Sequence, residues 1–284
     1  MNEIVDLIAD EPDRAFENYF DPSEFATRAW LEDRHYWHLY RRTVILDALR
    51  GAGVGGGHNL LELGCGAGTV ATFLNQNGLR VDYSDVHREA LRFARQRAVD
   101  RLPRDHPARF IRVDITRRLP PGPCDGVLLL DVLEHLPDDR GVLRAVRGLL
   151  GPTAAGSPQR LLLFTVPAFQ RLWSPWDDRE RHKRRYSLAE ARALAADSGF
   201  QVTRATYFFL PLFFAAVAVK AARTTRRLVR GPAAMPAFQS MAETNHYAPL
   251  NAAILRLLGL ERRWLRSRDL PLGTSILVMA RPLA

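Results

Sequence analysis

Leu60-Leu61-Glu62-Leu63-Gly64-Cys65-Gly66-Ala67-Gly68-Thr69 reads as a short buried strand, a turn with glycine at alternate positions, and the opening of a helix. Glycine suits such a turn because the backbone must bend sharply and approach a ligand with no Cβ in the way. Strands and helices alternate downstream, which is the mark of a parallel doubly wound sheet. Further strands are expected over Arg80–Ser84, Phe110–Val113, Gly126–Leu130, Leu161–Val166, Phe200–Thr206 and Ser275–Ala280. Ser187, followed three residues later by Glu190, predicts a capping box opening a helix that stops at Gly199. Upstream, apolar positions from Phe25 to Leu46 predict helix over about Glu24–Leu49.

The expected fold is α/β: a Rossmann-like, doubly wound sheet of seven strands, mostly parallel, with the last antiparallel. The expected division is an N-terminal helical segment or lid (1–57), an α/β core (58–206), a hydrophobic, basic helical insert (207–270) and a final core strand (271–284). Almost seventy residues between the last two strands need structure of their own.

Composition narrows the function. Hydrophobic residues make up 47% and charged residues 25% of the 284, ordinary for a globular protein with a sizeable core. The net charge of +9 is carried almost wholly by arginine, since Lys183 and Lys220 are the only lysines. The first twenty-four residues are acidic, so positive charge lies later in the chain. No nucleic-acid motif accompanies it, and no nucleic-acid partner is expected. Cys65 and Cys124 make no disulfide framework, and the start lacks the basic-then-apolar order of a signal peptide. A cytoplasmic location fits, with membrane association through the insert as an addition.

The acids at the strand ends sharpen the glycine turn. Glu62 can face the cationic, amino-acid end of a ligand. Asp85 can accept both ribose hydroxyl hydrogens, with Asp82 a rival. Asp114 can accept from an adenine amino group. All fall at the carboxyl ends of strands, where ligands bind in open α/β sheets.

Leu60 to Thr69, Tyr83-Ser84-Asp85, Val113-Asp114-Ile115 and Asp131-Val132-Leu133-Glu134-His135-Leu136 together resemble the class I S-adenosylmethionine-dependent methyltransferases. The resemblance is nearest to the bacterial small-molecule branch that includes ubiquinone-biosynthesis O-methyltransferases, and covers residues 30–206 and the final strand. It implies S-adenosylmethionine as cofactor, contacted by Glu62, Gly64, Cys65, Gly66, Gly68, Asp85, Val86, Asp114, Ile115 and Asp131. It implies methyl transfer to a small or lipid-like acceptor, foremost at a hydroxyl oxygen. Alternatives are transfer to nitrogen, carbon or protein, or a non-catalytic cofactor-binding partner. A nicotinamide fingerprint would want glycine where Thr69 stands.

His135, just past the fourth strand, and His182, in the Arg181-His182-Lys183-Arg184-Arg185-Tyr186 run after the fifth, are the candidate catalytic bases, because imidazole titrates near working pH. Capping or pocket lining is the structural alternative for His135, and a solvated basic loop for the run; Arg185 is a candidate anion contact. Glu134 with His135 offers two ligands for a metal with no third nearby, so no metal is expected. Cys65 reads as a small buried filler rather than a redox group.

In the insert, the apolar run Tyr207–Val219 leads into Lys220, Arg223, Arg226, Arg227 and Arg230. Its 13 residues are short of the about 20 that span a bilayer. Three readings stay open: a helix in an anionic membrane interface, a lid over a greasy substrate, or a buried core helix.

Overall fold

All seven expected strands form, and an eighth joins them. The computed structural model describes residues 3–12, 25–122, 124–151, 159–230 and 248–283. In chain order the elements are β1 (Ile4–Asp6), α1 (Phe25–Glu32), α2 (Tyr36–Gly51), β2 (Asn59–Leu63), α3 (Thr69–Gln76), β3 (Arg80–Asp85), α4 (Arg88–Arg101) and β4 (Phe110–Arg112). There follow β5 (Gly126–Leu130), α5 (Asp139–Leu150), β6 (Leu161–Pro167), α6 (Pro175–Arg179), α7 (Leu188–Asp197), β7 (Phe200–Phe208), α8 (Leu210–Arg230), α9 (Ala248–Leu265) and β8 (Ser275–Pro282).

The sheet runs β1-β4-β3-β2-β5-β6-β8-β7. Strands β1 to β6 pair in parallel, and β8 runs antiparallel to both β6 and β7. The chain builds outward from β2 through β3 and β4, then returns to the other side of β2 with β5. A crevice therefore opens at the carboxyl ends of β2 and β5, where the order reverses. Strands β5 and β6 are buried along their whole length, which is why they read as unbroken apolar runs rather than alternating ones.

The expected seven-strand count is corrected by β1, which also means that 1–57 is not helical throughout. Three residues are too few to show a strand period. What holds them is Arg112, fully buried on the neighbouring strand. Its guanidinium donates to the carbonyls of Ile8 (2.9 Å), Glu11 (2.5 Å) and Val86 (3.0 Å) and faces Asp6 at 3.3 Å.

The N-terminal helix is broken into α1 and α2 at residues 33–35, where His35 caps α2 by accepting from the Trp37 N–H at 3.3 Å. The Ser187/Glu190 capping box forms as expected. Strand β7 runs on through Tyr207 and Phe208, so the insert starts two residues later than expected. Glu261 of α9 then accepts from the backbone N–H groups of Phe209 (2.6 Å) and Leu210 (2.7 Å) and from the Tyr40 hydroxyl (2.8 Å). One buried carboxylate thus satisfies the free donors opening α8 and ties both insert helices to α2.

The described part of α8 is largely exposed, with Phe214 59% and Val219 51% accessible. That overturns the buried-core reading of the helix. No described helix is long and apolar enough to cross a membrane. The side chains of Arg226, Arg227 and Arg230, and residues 231–247 of the insert, lie outside the described residues.

Candidate active site

A cavity of about 210 Å³ occupies the crevice. Its floor is the carboxyl edge of the sheet: Glu62 near the end of β2 with Gly64, Cys65 and Gly66 after it, Asp85 ending β3 with Val86 after it, Asp114 and Ile115 after β4, and Asp131 after β5. Nine of the ten residues expected to touch a cofactor therefore share one wall.

Gly68 is the exception. It has φ +72°, and a Cβ there would lie 2.7 Å from the Ala94 Cβ and 3.0 Å from the Tyr83 ring. Its hydrogen lets α3 approach α4 and β3, so its task is packing. Gly66, at φ +53°, has nothing within 4 Å of a Cβ position and borders the open cavity. The two glycines share a conformation for different reasons.

Asp85 organises the turn. Its buried carboxylate accepts from the Gly66 N–H at 2.8 Å and the His87 N–H at 2.9 Å. Asp82, its rival, instead accepts from the Arg109 N–H (2.8 Å) and Nε (2.6 Å) and does not line the cavity. Asp114 accepts from the Thr116 N–H at 2.9 Å and hydroxyl at 2.7 Å, an Asx-turn that leaves its other oxygen beside Arg117 at 3.2 Å.

Glu62 is 2% exposed, and its Oε2 has no hydrogen-bond partner among the described residues. Burial pushes its carboxyl up to about 8, with the Arg41 charge opposing. A buried acid with a free lone pair at a cavity wall is poised to receive a cationic donor, because ionising there needs a partner. Burial, with Asp85 and Glu62 adding, also raises the Cys65 thiol well above its ordinary value. That keeps it protonated and fits the filler reading.

The roof comes from α1 and α2. Arg28, Glu32, Trp37, His38 and Arg41 line the cavity, joined by Glu180 just after α6. Arg41 pairs with Asp131 at 2.6 Å, and Asp131 holds a positive φ of 54°. Arg28 pairs with Glu180, and the Thr69 hydroxyl donates to Glu32. These contacts close helices from the N-terminal region over the strand ends. No described residue of the insert lines this cavity. Sequence reasoning missed Arg41, His38, His87 and Glu180, although it read residues 1–57 as an N-terminal helical segment or lid.

The two histidines expected as bases meet, although 47 positions separate them. Their rings sit edge to face with centroids 4.8 Å apart. His135 lines the cavity and His182 stands behind it. Burial, and then the neighbouring His182, push His135 down to about 3, so it is neutral across the working pH range. His182 Nδ1 meets Asp177 at 2.9 Å. Burial would raise Asp177, but hydrogen bonds from His182 and Arg185 win and hold it well below the carboxylate range. Arg185 donates twice to Asp177, at 2.7 and 2.9 Å, and to the Ala168 carbonyl at 3.1 Å. It braces the loop and is not the expected anion contact. Glu134, fully buried, faces His182 Nε2 at 4.0 Å. His182, delivered from beyond β6, thus joins Glu134 and His135 in one cluster of possible ligand atoms that spacing along the chain did not announce.

Comparison with known proteins agrees with this geometry. Residues 61–155 match the family model described as a methyltransferase domain. A ubiquinone biosynthesis O-methyltransferase of Albidiferax ferrireducens is 29% identical over 163 residues, covering 52% of this chain and 64% of that protein. The chain thus spans less than two thirds of that relative. Among solved structures, the chain bound to the Haloferax volcanii Trm112 methyltransferase activator is similar in fold, with a TM-score of 0.56 at 16% identity over 93% of this chain and 97% of that one. A phosphoethanolamine N-methyltransferase 2 of Haemonchus contortus gives a TM-score of 0.53 at 15% identity, over 85% of this chain and 52% of that one.

Proposed function

We propose that this chain, which carries a class I S-adenosylmethionine-dependent methyltransferase domain, moves a methyl group to a hydroxyl oxygen of a small or lipid-like acceptor. The observation that carries the reading is the ring of Glu62, the Gly64–Gly66 turn, Asp85, Asp114 and Asp131 around one roofed cavity. S-adenosylmethionine supplies a methyl group already activated as a sulfonium. The fit of the site to it rests on the unpartnered Glu62 Oε2, which suits an ammonium, and on the absence of a Cβ at Gly66.

In this reading Glu62 and the turn hold the methionine part, Asp85 with Val86 the ribose, and Asp114 with Ile115 the adenine. Cys65 lies against the ligand as part of the turn. Asp131 and Arg41 close the wall on the acceptor side. Displacement at carbon needs alignment and exclusion of water more than covalent help, and the roof of α1 and α2 serves both. The acceptor lies against His135, the residue of the histidine pair that faces the cavity. The hydroxyl preference is supported by the O-methyltransferase relative; nitrogen, carbon or protein acceptors, or a non-catalytic partner role, are the alternatives.

The test is methyl transfer to hydrophobic phenols, measured for the wild type and for His135→Ala and His182→Ala. Turnover is expected to fall about 100-fold in at least one variant, with S-adenosylhomocysteine affinity kept. Full rates in both remove the hydroxyl-plus-histidine picture.

The insert favours a second role at an anionic membrane. Phe214 and Val217 on α8, and Leu250, Leu257, Leu260 and Trp264 on α9, are exposed, and Arg263 and Arg266 stand beside them in sequence. Co-sedimentation with phosphatidylglycerol vesicles at low salt, released by salt and reduced in Phe214→Glu/Leu260→Glu, is the expected result. No bound fraction at low salt ends this reading.

A further inference from the structure

We propose that Glu134, His135 and His182 form a binding site for one first-row divalent transition-metal ion, such as Zn²⁺, on the wall of the cavity. The inference rests on the reading above, because it places the ion where the acceptor is expected to lie.

Each of the three residues offers one ligand atom, and these atoms all lie within 4.8 Å of one another. Glu134 carries the argument. It is completely buried, and neither carboxylate oxygen has a hydrogen-bond partner among the described residues. Leaving a carboxylate so placed without a cation or donors is costly. His182 Nε2 approaches Glu134 Oε1 to 4.0 Å. His135 Nδ1 is buried and likewise has no partner among the described residues.

The surroundings orient these ligands. A metal-binding imidazole characteristically directs its other nitrogen at a carboxylate or backbone carbonyl, which fixes its tautomer and strengthens it as a donor. His182 does so through Nδ1 to Asp177 at 2.9 Å, leaving Nε2 for the site. Asp177 is locked in turn by the two hydrogen bonds from Arg185 and by the Ser174 N–H at 2.8 Å. The Lys183 N–H donates to the Glu134 carbonyl at 2.7 Å, stitching the two ligand-bearing segments together.

Two imidazoles and one carboxylate select zinc, or iron, cobalt, nickel or manganese, over magnesium and calcium, which prefer all-oxygen sets. Ion–ligand bonds of about 2.1 Å need ligand atoms about 3–3.5 Å apart, a contraction of roughly 1 Å that side-chain rotation can supply. Among the described residues three protein ligands are present in this cluster, so coordination positions remain for solvent or acceptor. His135 lines the cavity and so puts those positions within the acceptor's reach. A cation there offers charge stabilisation to an oxygen that must lose its proton.

The experiment is titration of chelator-treated full-length protein with Zn²⁺ by calorimetry, and with Co²⁺ by visible absorption, alongside S-adenosylhomocysteine binding as a control for folding. One equivalent of metal and a cobalt spectrum of nitrogen–oxygen ligation are expected. Glu134→Gln and His182→Ala should each weaken metal binding about 100-fold while S-adenosylhomocysteine affinity stays within about threefold. Asp177→Asn, which spares the ligands, should weaken it about tenfold. Wild-type protein that binds S-adenosylhomocysteine but no metal, or variants that bind metal undiminished, overturn the site and leave the methyltransferase reading standing. Failure of the wild type to bind S-adenosylhomocysteine overturns that reading, and the placement of the ion with it. If a variant loses both ligands through misfolding, the Asp177→Asn series and the wild-type cobalt spectrum decide.

Discussion

Asp85→Ala is expected to weaken S-adenosylhomocysteine binding by 100-fold or more. Two losses combine. The side chain proposed to accept the ribose hydroxyls disappears, and so does the clamp on the glycine turn, because the Gly66 and His87 N–H groups both donate to this carboxylate. Hydrogen bonds to a charged group contribute about 1.5–3 kcal/mol each, and about 1.4 kcal/mol is a factor of ten in affinity. Losing two such contacts therefore reaches the stated size even before the turn relaxes. Asp85→Asn keeps one acceptor oxygen and should fall between wild type and alanine. Calorimetric titration with S-adenosylhomocysteine, with NADH as a control, is the measurement. An alanine variant that binds S-adenosylhomocysteine within threefold of wild type, or a wild type that prefers NADH, removes Asp85 from the site and reopens the cofactor assignment.

Gly68→Ala is expected to cost about 2–5 kcal/mol of stability, while Gly66→Ala costs less stability and more affinity. Both positions have positive φ, and a non-glycine residue there costs about 1–2 kcal/mol. At Gly68 a Cβ also meets the Ala94 Cβ at 2.7 Å and the Ala94 Cα at 3.0 Å, and α4 must move to admit it. Overpacking of that kind adds about 1–3 kcal/mol. At Gly66 the new methyl meets no protein atom within 4 Å and borders the cavity. Urea unfolding and S-adenosylhomocysteine titration of the two variants should give opposite rankings. Equal stability losses would mean that α4 yields easily and that the distinction between a packing and a ligand-facing glycine is wrong.

The interior of this fold was legible because its signals are local. Leu128 and Leu163 lie in strands buried on both faces, and such strands read as continuous apolar runs whatever the rest of the chain does. The glycine turn declares itself by backbone conformation, since Gly64, Gly66 and Gly68 all hold positive φ. Ser187 and Glu190 cap a helix across three residues. The floor acids were legible for the same reason: an acid within two residues of a strand's carboxyl end stays at the sheet edge however the chain is folded elsewhere.

What escaped the sequence was decided by distance along the chain. Ile4–Asp6 became a strand because Arg112, more than a hundred positions later, receives Asp6 and the carbonyls beyond it. The roof proved to be α1 and α2 because Arg41 reaches Asp131 and Arg28 reaches Glu180, pairings that no periodicity announces. The grouping of Glu134, His135 and His182 depends on β6 carrying the chain across the sheet and back to the end of β5. The sequence by itself determined the doubly wound α/β core, its glycine turn and the acids along its edge, because period, turn conformation and capping act over a few residues. Only the tertiary structure decided which helices cover the cavity, how the two histidines meet and which carboxylate lies beside them, because long-range packing and charge pairing select partners that adjacent sequence cannot name.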